Sequence, residues 1–464
     1  MVHLIQTIIF SLWTLHKMMT NYFSKAYSKS KVILALTSIC ILSGCVFPNS
    51  TNIATTKDKP KLSYKQVVVK QSNASPLTQS IQKIPTVARA LSAASAAKDR
   101  VAITRSQKEL TIQGTGSSGI ETKTSDSSEG ILVVGVTAQK LLNDNGQTDR
   151  SIYLSELGAE IASLESQVAF DQALQQILEA YTSQNHALKI ENIITNYVNQ
   201  FNKREKLVQT AVKAGVLSNS DYLELQSLKN EVLSEQAQSV FQSNSSSSYL
   251  KTSLSHNYTQ ALAELAENFE VKDDIKLSTD GTYQITLLNL NKLQLQTQIK
   301  LQEEANSFTT SWHTTASSPK SRGAGSTIFA GITMGLPIKD GGKAKASIVT
   351  LNKELEVNAL DVSSYKEKVS LAQKGLDNFE AFHQKQSSLL NERMRISKDR
   401  IDELELKLKA GRVDVSVLAK EILTLARAEI AIERLKHDHI TQRLSALSAT
   451  GQTCQVINLC DAKE

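Results

Sequence analysis

The chain contains residue types that could do catalysis or bind a metal, but their spacing forms no recognisable catalytic or metal-binding pattern. The 464 residues contain no HExxH, P-loop, GxSxG or CxxC motif. The eight histidines show no ligand spacing, and His437 and His439, two residues apart, would not share a helix face. GTGSSG at 114–119 has the letters of a dinucleotide motif, but no helix-forming stretch follows it. The sequence therefore predicts no enzyme, no cofactor and no metal site.

Two cysteines near the end of the chain, Cys454 and Cys460, offer a different chemistry. Their C-x5-C spacing suits a small disulfide in an oxidising compartment. Two unpaired thiols are the alternative. With only two cysteines and no nearby histidine, zinc binding is disfavoured.

The start of the chain has the pattern of a signal peptide. An apolar run of 11 residues at 32–42 follows three lysines and precedes the small residues Ser43 and Gly44. At roughly 16 Å, such a helix is too short to cross a bilayer. A buried apolar helix is the alternative interpretation.

The LSGC sequence that ends this segment resembles the lipobox of bacterial lipoproteins. The resemblance implies cleavage before Cys45, acylation of Cys45 and, with Val46 following, an outer-membrane destination. The polar segment 46–75, rich in Thr, Ser, Asn and Lys, is then a solvated linker to the folded part.

Charge and proline content narrow the class of protein. The formal charge of +6 includes four lysines from residues 1–45, so the remaining chain carries only +2 and gives no argument for a nucleic-acid partner. The six prolines leave residues 86–318 and everything after 337 free of proline. Very long helices are therefore permitted.

The chain carries an internal duplication. LLNDNGQ at 141–147 matches PIKDGGK at 337–343, and their final glycines lie 196 residues apart. Lys-Ala-Gly at 213–215 and at 409–411 are also 196 residues apart. Two matched pairs in one register indicate two copies of one unit. The expected divisions are a first repeat at 76–257, a second repeat at 258–450 and a tail at 451–464.

Each copy should contain a long helical hairpin. The segments between the matched motifs are about 68 residues long and would span on the order of 100 Å as helices. The second has a heptad seam with one polar interruption. Its positions are Ile348, Leu351, Leu355, Asn358, Val362, Tyr365, Val369, Ala372, Leu376 and Phe379.

Three local signals modify this helical outline. A helix is expected over Leu77–Thr104 with a break at Pro85. QSNSSSS at 242–248 predicts a break in the first returning helix, and TYQIT at 282–286 is a candidate short strand.

Each copy should also contain a β-hairpin. The first has strands at 108–113 and 130–138 around a polar loop, and the second has strands at 307–316 and 326–335. Open sheet edges are unstable in lipid, and single-chain bacterial barrels use at least eight strands. Four strands would need partners from other chains, and three chains would supply twelve.

The tips of the helical hairpins carry the remaining candidate residues. Gly215 and Gly411 are natural helix stops. Ser220 or Asp221 in the first copy, and Asp414 in the second, are suited to cap the returning helix.

Taken together, these segments resemble the TolC-like outer-membrane efflux protein family over about residues 76–450. The resemblance is carried by Leu77 to Pro85 with the Ala-rich helix after it, by the strand and LLNDNG at 131–146, by LPIKDGG at 336–342, and by the two tips. It implies a mainly α fold with β-hairpins that assembles as a homotrimer, with a 12-stranded β-barrel and a periplasmic α-barrel.

The resemblance also implies a function. Members of the family are passive export channels for small molecules or proteins that work with a periplasmic adaptor and an inner-membrane pump, in efflux or type I secretion. Gly215 and Gly411 match the family's turn glycines, and Asp221 matches an aspartate of the gate region. Arg412 and Asp414 are polar tip residues without a clear match. The second return segment appears one residue shorter, judged from Leu223 and Leu418.

A different class of function fits the heptads as well. A lipid-anchored periplasmic coiled-coil protein without a pore would use the same helices, and its strands would pack on them. Conductance in planar bilayers distinguishes the two hypotheses, because the lack of a channel under any condition would favour the second.

Overall fold

A computed structural model describes most of the chain beyond residue 66. The described ranges are 67–69, 75–122, 128–271, 276–279, 282–305, 307–319, 326–338, 340–410, 412–457 and 460–462. The predicted signal segment with Cys45, nearly all of the linker, and Gly411 lie outside the described residues.

Helices dominate the described part of the chain. They are α1 (Pro76–Gln82), α2 (Pro85–Ser106), α3 (Gln147–Lys213), α4 (Asn219–Ser253), α5 (Tyr258–Asn268), α6 (Tyr283–Glu303), α7 (Lys343–Lys409) and α8 (Val415–Ala449). The break at Pro85 is confirmed, because proline begins α2 where its missing N–H has no intrahelical partner to lose. Among the described helices, none contains a stretch long and apolar enough to cross a membrane.

The duplication extends through both helical hairpins. The long helices α3 and α7 have 67 residues each, and their first residues, Gln147 and Lys343, are 196 residues apart. The returning helices α4 and α8 have 35 residues each, and Asn219 and Val415 keep the same offset. The second return segment is therefore not shorter than the first. The comparison through Leu223 was wrong because Leu223 is exposed, whereas Leu418 is buried.

An aspartate caps the start of each long helix. In the first repeat the Asp144 carboxylate accepts hydrogen bonds from the backbone N–H groups of Gly146, at 3.1 Å, and Thr148, at 2.6 Å. In the second repeat, Asp340 accepts from Gly342 at 2.8 Å and Ala344 at 2.9 Å. Gly146 and Gly342 have φ angles of 83° and 85°, in the left-handed region that favours glycine. The repeated motif thus turns the chain from strand into helix.

The first returning helix runs without interruption through its Ser-rich segment. The predicted break at 242–248 was wrong, because tertiary contacts outweigh the weak helix propensity of serine and asparagine. The Ser239 hydroxyl donates to the carbonyl of Ala187 at 2.6 Å, and the Gln242 amide donates to Ser183 at 2.8 Å. Small polar side chains let α4 lie close against α3.

The seam predicted for the second long helix is confirmed. All ten positions from Ile348 to Phe379 are buried or half-buried. Tyr365 and Val369 pack against α6 in a small apolar cluster, and the amide of the polar interruption, Asn358, donates to the carbonyl of Leu288 at 3.1 Å. The seam of α7 therefore holds α6 as well as its own hairpin partner.

The segment between the repeats is helical. TYQIT was wrong as a strand: Thr282 caps α6, and its hydroxyl accepts from the N–H of Ile285 at 3.3 Å. An apolar core of α1, α3, α4, α5 and α8 surrounds Phe170, Leu174 and Leu444. A local cap at Thr282, together with burial of Ile285 against Tyr365 of α7, makes this segment helical.

The strands form two sheets in the described part of the chain. They are β1 (Val67–Val69), β2 (Thr111–Thr122), β3 (Ser128–Asn143), β4 (Thr309–Pro319), β5 (Thr327–Gly335) and β6 (Cys460–Ala462). Strands β2 to β5 make one antiparallel sheet in chain order, and β1 pairs with β6. The polar segment predicted as a loop at 114–129 mostly belongs to β2. Its Gly and Ser residues pair in register with apolar residues of β3, such as Gly116 with Val134.

The four-stranded sheet has one apolar face and one polar face. Val134, Val136 and Ile332 lie on the apolar face and are exposed, Val134 to 55% and Ile332 to 59%. The alternate positions, such as Gln113, Thr137 and Thr333, are mainly polar. Strands β2 and β5 are the two edges of the sheet. Alternation with the apolar face outward is the pattern of a lipid-facing sheet.

Candidate functional site at the hairpin tips

The first tip is a tight helix stop built around Gly215. Its N–H donates to the carbonyl of Val212 at 3.0 Å, and the N–H of Val216 donates to that of Ala211 at 2.9 Å. These two bonds make a Schellman motif, which needs a left-handed residue, and Gly215 has a φ of 72°. The tip therefore has a defined conformation.

Asp221 is committed to capping the returning helix. Ser218, and neither Ser220 nor Asp221, is the N-cap: its hydroxyl accepts from the N–H of Asp221 at 3.2 Å. The Asp221 carboxylate accepts in return from the Ser218 N–H at 3.1 Å and from its hydroxyl at 2.8 Å. This reciprocal pair is a capping box with Asp in the third position. The sequence signal was Ser218 three residues before an acid.

The second tip has the same stop but a different cap. The N–H of Arg412 donates to the carbonyl of Lys407 at 2.9 Å, over the same five-residue span as in the first tip. Asp414 is the N-cap of α8, as expected, but its side chain makes no capping hydrogen bond. Both Arg412 and Asp414 are exposed, so their charges face solvent at this end.

The two tips lie side by side on a shared apolar core. Phe201, Leu225 and Leu418 are each at most 1% exposed, and belong to one cluster from α3, α4 and α8. Lys420 Nζ lies 2.5 Å from Glu224 Oε1, and Arg427 pairs with Glu231. In both pairs the partners occupy equivalent positions of the two repeats, 196 residues apart. These ion pairs were not predicted from the sequence, because contact between equivalent positions depends on how the two hairpins pack.

The tail of the chain is held against the first long helix. Cys454 is disulfide-bonded, although the side chain of Cys460 lies outside the described residues. The buried Asp171 accepts hydrogen bonds from the Thr453 hydroxyl at 2.9 Å and the Cys454 N–H at 3.2 Å. Burial raises the pKa of Asp171 to about 6, and the hydrogen bonds act in the opposite direction. An open polar cavity of about 710 Å³ lies beside it, lined by Gln172, Tyr283 and Lys368 among others.

A group of titratable side chains lies between α7 and α8. Glu380 and His383 face His439 and Arg443, and the Nε2 atom of His439 is 2.8 Å from both oxygens of Glu380. As expected, His437 and His439 do not share a face, because His437 stacks on His186 of α3. Burial, and secondarily His437, lowers the pKa of His186 to about 4. The sequence signal for the group around Glu380 was the Glu-x-x-His spacing at 380 and 383, a pair that was not predicted as ligands.

Comparison with known proteins supplies structural neighbours. No protein-family model matches the sequence, and no curated protein does. The Campylobacter jejuni CmeC outer membrane channel is 11% identical with a TM-score of 0.67, over 87% of this chain and 91% of that chain. The Vibrio cholerae outer membrane protein VceC is 10% identical with a TM-score of 0.69, over 81% and 95%.

A third neighbour gives the same result. The open state of the Neisseria gonorrhoeae MtrE outer membrane channel is 14% identical with a TM-score of 0.64, over 88% of this chain and 95% of that chain. At these identities the likeness is one of fold. The chain therefore has the TolC-like fold that the sequence resemblance implied, with two in-register helical hairpins and a β-hairpin before each.

Proposed function

We propose that this chain is one subunit of an outer-membrane channel, a passive conduit for export of small molecules or proteins. The observation that carries the proposal is the four-stranded sheet, which leaves two edges open and exposes one apolar face. Such a sheet is costly in water because of its face, and costly in lipid because of its edges. A closed ring of several copies in a membrane removes both costs.

Three copies are the expected number. Three four-stranded sheets supply twelve strands, within the range of known outer-membrane barrels. Since β2 and β5 run antiparallel to each other in the chain order, the β2 edge of one copy would continue the antiparallel pattern of the β5 edge of the next. The polar face, with Gln113, Thr137 and Thr333, would line the interior.

The helical hairpins would form the periplasmic part of the conduit. At 67 residues each, α3 and α7 extend roughly 100 Å from the sheet to the tips. We assign the tips, with Gly215, Asp221, Gly411, Arg412 and Asp414, to contact with a periplasmic adaptor and to gating. An inner-membrane pump would complete the assembly, in efflux or in type I secretion.

The exposed apolar face argues against the alternative of a coiled-coil protein without a pore. That alternative needs helices to cover the sheet. Val134, Val136 and Ile332 are at least half exposed, so no described helix covers this face. The heptad seam of α7, which motivated the alternative, is equally compatible with a channel, because the helices of a channel also pack lengthwise.

Cross-linking between sheet edges tests the proposal. Gln113→Cys on β2 combined with Thr333→Cys on β5 should yield covalent dimers and trimers, and nothing larger, with a flexible thiol cross-linker in outer membranes. The matched control is Gln113→Cys with Thr137→Cys, which are paired neighbours within one sheet and should link only within a chain. A monomer in both variants would contradict the trimer.

Conductance of the purified protein in planar bilayers tests the pore itself. The wild type should form discrete ion-conducting channels. Asp221→Ala and Asp414→Ala should change the size or the gating of single-channel currents if the tips constrict the pore. Unchanged currents in both variants would leave these aspartates with a structural role only, and a complete lack of conductance would overturn the proposed function.

Lipid attachment at Cys45 and pairing of Cys454 with Cys460 complete the proposal. Cys45→Ser should abolish incorporation of a labelled fatty acid, while Cys460→Ser should leave labelling intact and expose a free thiol at Cys454. Undiminished labelling of Cys45→Ser would refute the lipid anchor. A blocked Cys454 in Cys460→Ser would refute the pairing.

A further inference from the structure

Three side chains with metal-ligating atoms converge between the helices of the second hairpin. Glu380 and His383 are three residues apart on α7, which places them on one helix face, and His439 faces them from α8. One ligating atom from each lies within 4.8 Å of the others. Donors about 2.0–2.1 Å from a tetrahedral ion lie roughly 3.4 Å apart, so modest side-chain rotation would bring all three onto one ion.

The surrounding residues hold these side chains in place. The rings of His383 and His439 are stacked, with centroids 4.0 Å apart and planes within 7°, and Phe379 stacks on His439 at 6.3 Å. The buried Arg443 donates from Nε to Glu380 Oε1 at 2.7 Å, which fixes the carboxylate. Ordered second partners of this kind are what ligands of metal sites require.

Charge decides which class of ion would fit. Arg443 balances the charge of Glu380, so the group has no net negative charge when both histidines are neutral. Mg²⁺ and Ca²⁺ require several oxygen ligands, and this group offers one carboxylate. Imidazole nitrogens suit Zn²⁺, Cu²⁺ and Ni²⁺, and two histidines with one glutamate make a known three-ligand set for zinc.

The first repeat shows that the architecture does not require these residues. The positions 196 residues earlier hold Gln184, Ala187, Ser243 and Ser247 where the second repeat has Glu380, His383, His439 and Arg443. The first hairpin closes at this level with small and neutral residues, and Ser243 is buried. Packing of the hairpin alone therefore does not account for the second group.

We propose that Glu380, His383 and His439 form a binding site for a transition-metal ion that prefers imidazole, with Zn²⁺ as the reference ion. The bound ion would link α7 to α8 midway along the second hairpin and leave a coordination position for water.

Zinc titration of the full chain tests the site. The protein, extracted in detergent and purified without a histidine tag, should bind one Zn²⁺ per chain in competition with a chromophoric chelator. His383→Ala and His439→Ala should each weaken binding at least about tenfold, since loss even of an outer-shell partner has that effect. His437→Ala is the matched control: it lies on the same helix two residues away, and should bind as the wild type does. Mg²⁺ should not compete.

A ligand exchange separates coordination from a structural role. His383→Cys should still bind Co²⁺ and should add a thiolate-to-cobalt charge-transfer band that the wild type lacks. Less than one site per chain in the wild type, an equal loss in His437→Ala, or no new band in a folded His383→Cys protein would each overturn the proposal. If His383→Ala fails to fold, the spectrum of His383→Cys decides.

Discussion

Among single residues, Asp171 shows how one buried carboxylate ties the end of the chain to the helical core. It lies on α3, is 3% exposed, and receives hydrogen bonds from Thr453 and Cys454, more than 280 positions away. Two hydrogen bonds do not offset the loss of hydration, and its pKa therefore rises from 3.8 to about 6. The folded state is therefore favoured most when Asp171 is protonated, although the hydrogen bonds from the tail favour the charged carboxylate.

The pH dependence of stability follows from this raised pKa. Between about pH 4 and pH 6 the folded chain holds the Asp171 proton, whereas the unfolded chain has released it, so stability falls as pH rises through this window. The loss amounts to up to about 3 kcal/mol. Asp171→Asn should remove this pH-dependent loss of stability, because the asparagine side chain does not titrate. The melting temperature of the variant relative to the wild type should therefore increase from pH 4 to pH 7, and a constant difference would contradict the assignment.

At the scale of elements, the returning helices α4 and α8 are equal in length but begin with different caps. Both tips use the same five-residue stop, but α4 starts with a reciprocal capping box and α8 with an aspartate whose side chain makes no capping bond. The first turn of α4 should therefore be the more firmly closed of the two. The difference lies at the tips, the end of the molecule that we propose to contact an adaptor.

Removal of each cap tests the difference. Ser218→Ala should cost about 1 kcal/mol, because an N-cap hydrogen bond is lost, and should speed amide exchange in the first turn of α4 about fivefold. Asp414→Ala should have a smaller effect, since it loses only a charge near a helix dipole, worth roughly 0.3–1 kcal/mol. Hydrogen exchange with mass spectrometry measures both turns, and a larger effect at Asp414 would contradict the assignment.

For the whole molecule, the two faces of the sheet determine where the chain can reside. Neighbouring positions on β5 point to opposite sides, so Ile332 belongs to the apolar face and Thr333 to the polar face. A channel needs the first in lipid and the second in water. The same substitution at Ile332 and at Thr333 therefore compares the effect of a charge on the apolar face with its effect on the polar face.

Ile332→Lys should impair insertion, and Thr333→Lys should not. A lysine on the lipid face costs up to about 2–4 kcal/mol, with less cost near the interfaces, whereas a lysine on the interior face remains hydrated. The amount of assembled protein in outer-membrane fractions measures the effect, with total expression as the reference. Equal amounts for the two variants would argue that the apolar face does not meet lipid.

Much of the architecture could be predicted from local sequence. The motifs at Gly146 and Gly342, the break at Pro85 and the seam from Ile348 to Phe379 depend on conformational preferences and periodicity within a few turns of chain. The predictions failed where contacts with distant parts of the chain determine the local structure. Segment 242–248 stays helical where Gln242 hydrogen-bonds to Ser183 of α3, and β2 extends through a polar sequence because β3 pairs with it.

The sequence by itself determined the duplication, the long helices and the hairpin order, because repeats and periodicity are properties of the chain read in one dimension. Only the tertiary structure decided the pairing of equivalent charges across the repeats, the commitment of Asp221 to a capping box, and the meeting of Glu380 and His383 with His439. The last residue is 59 positions from Glu380. Contacts over such separations depend on how two helices pack, and helix packing is set by the whole core.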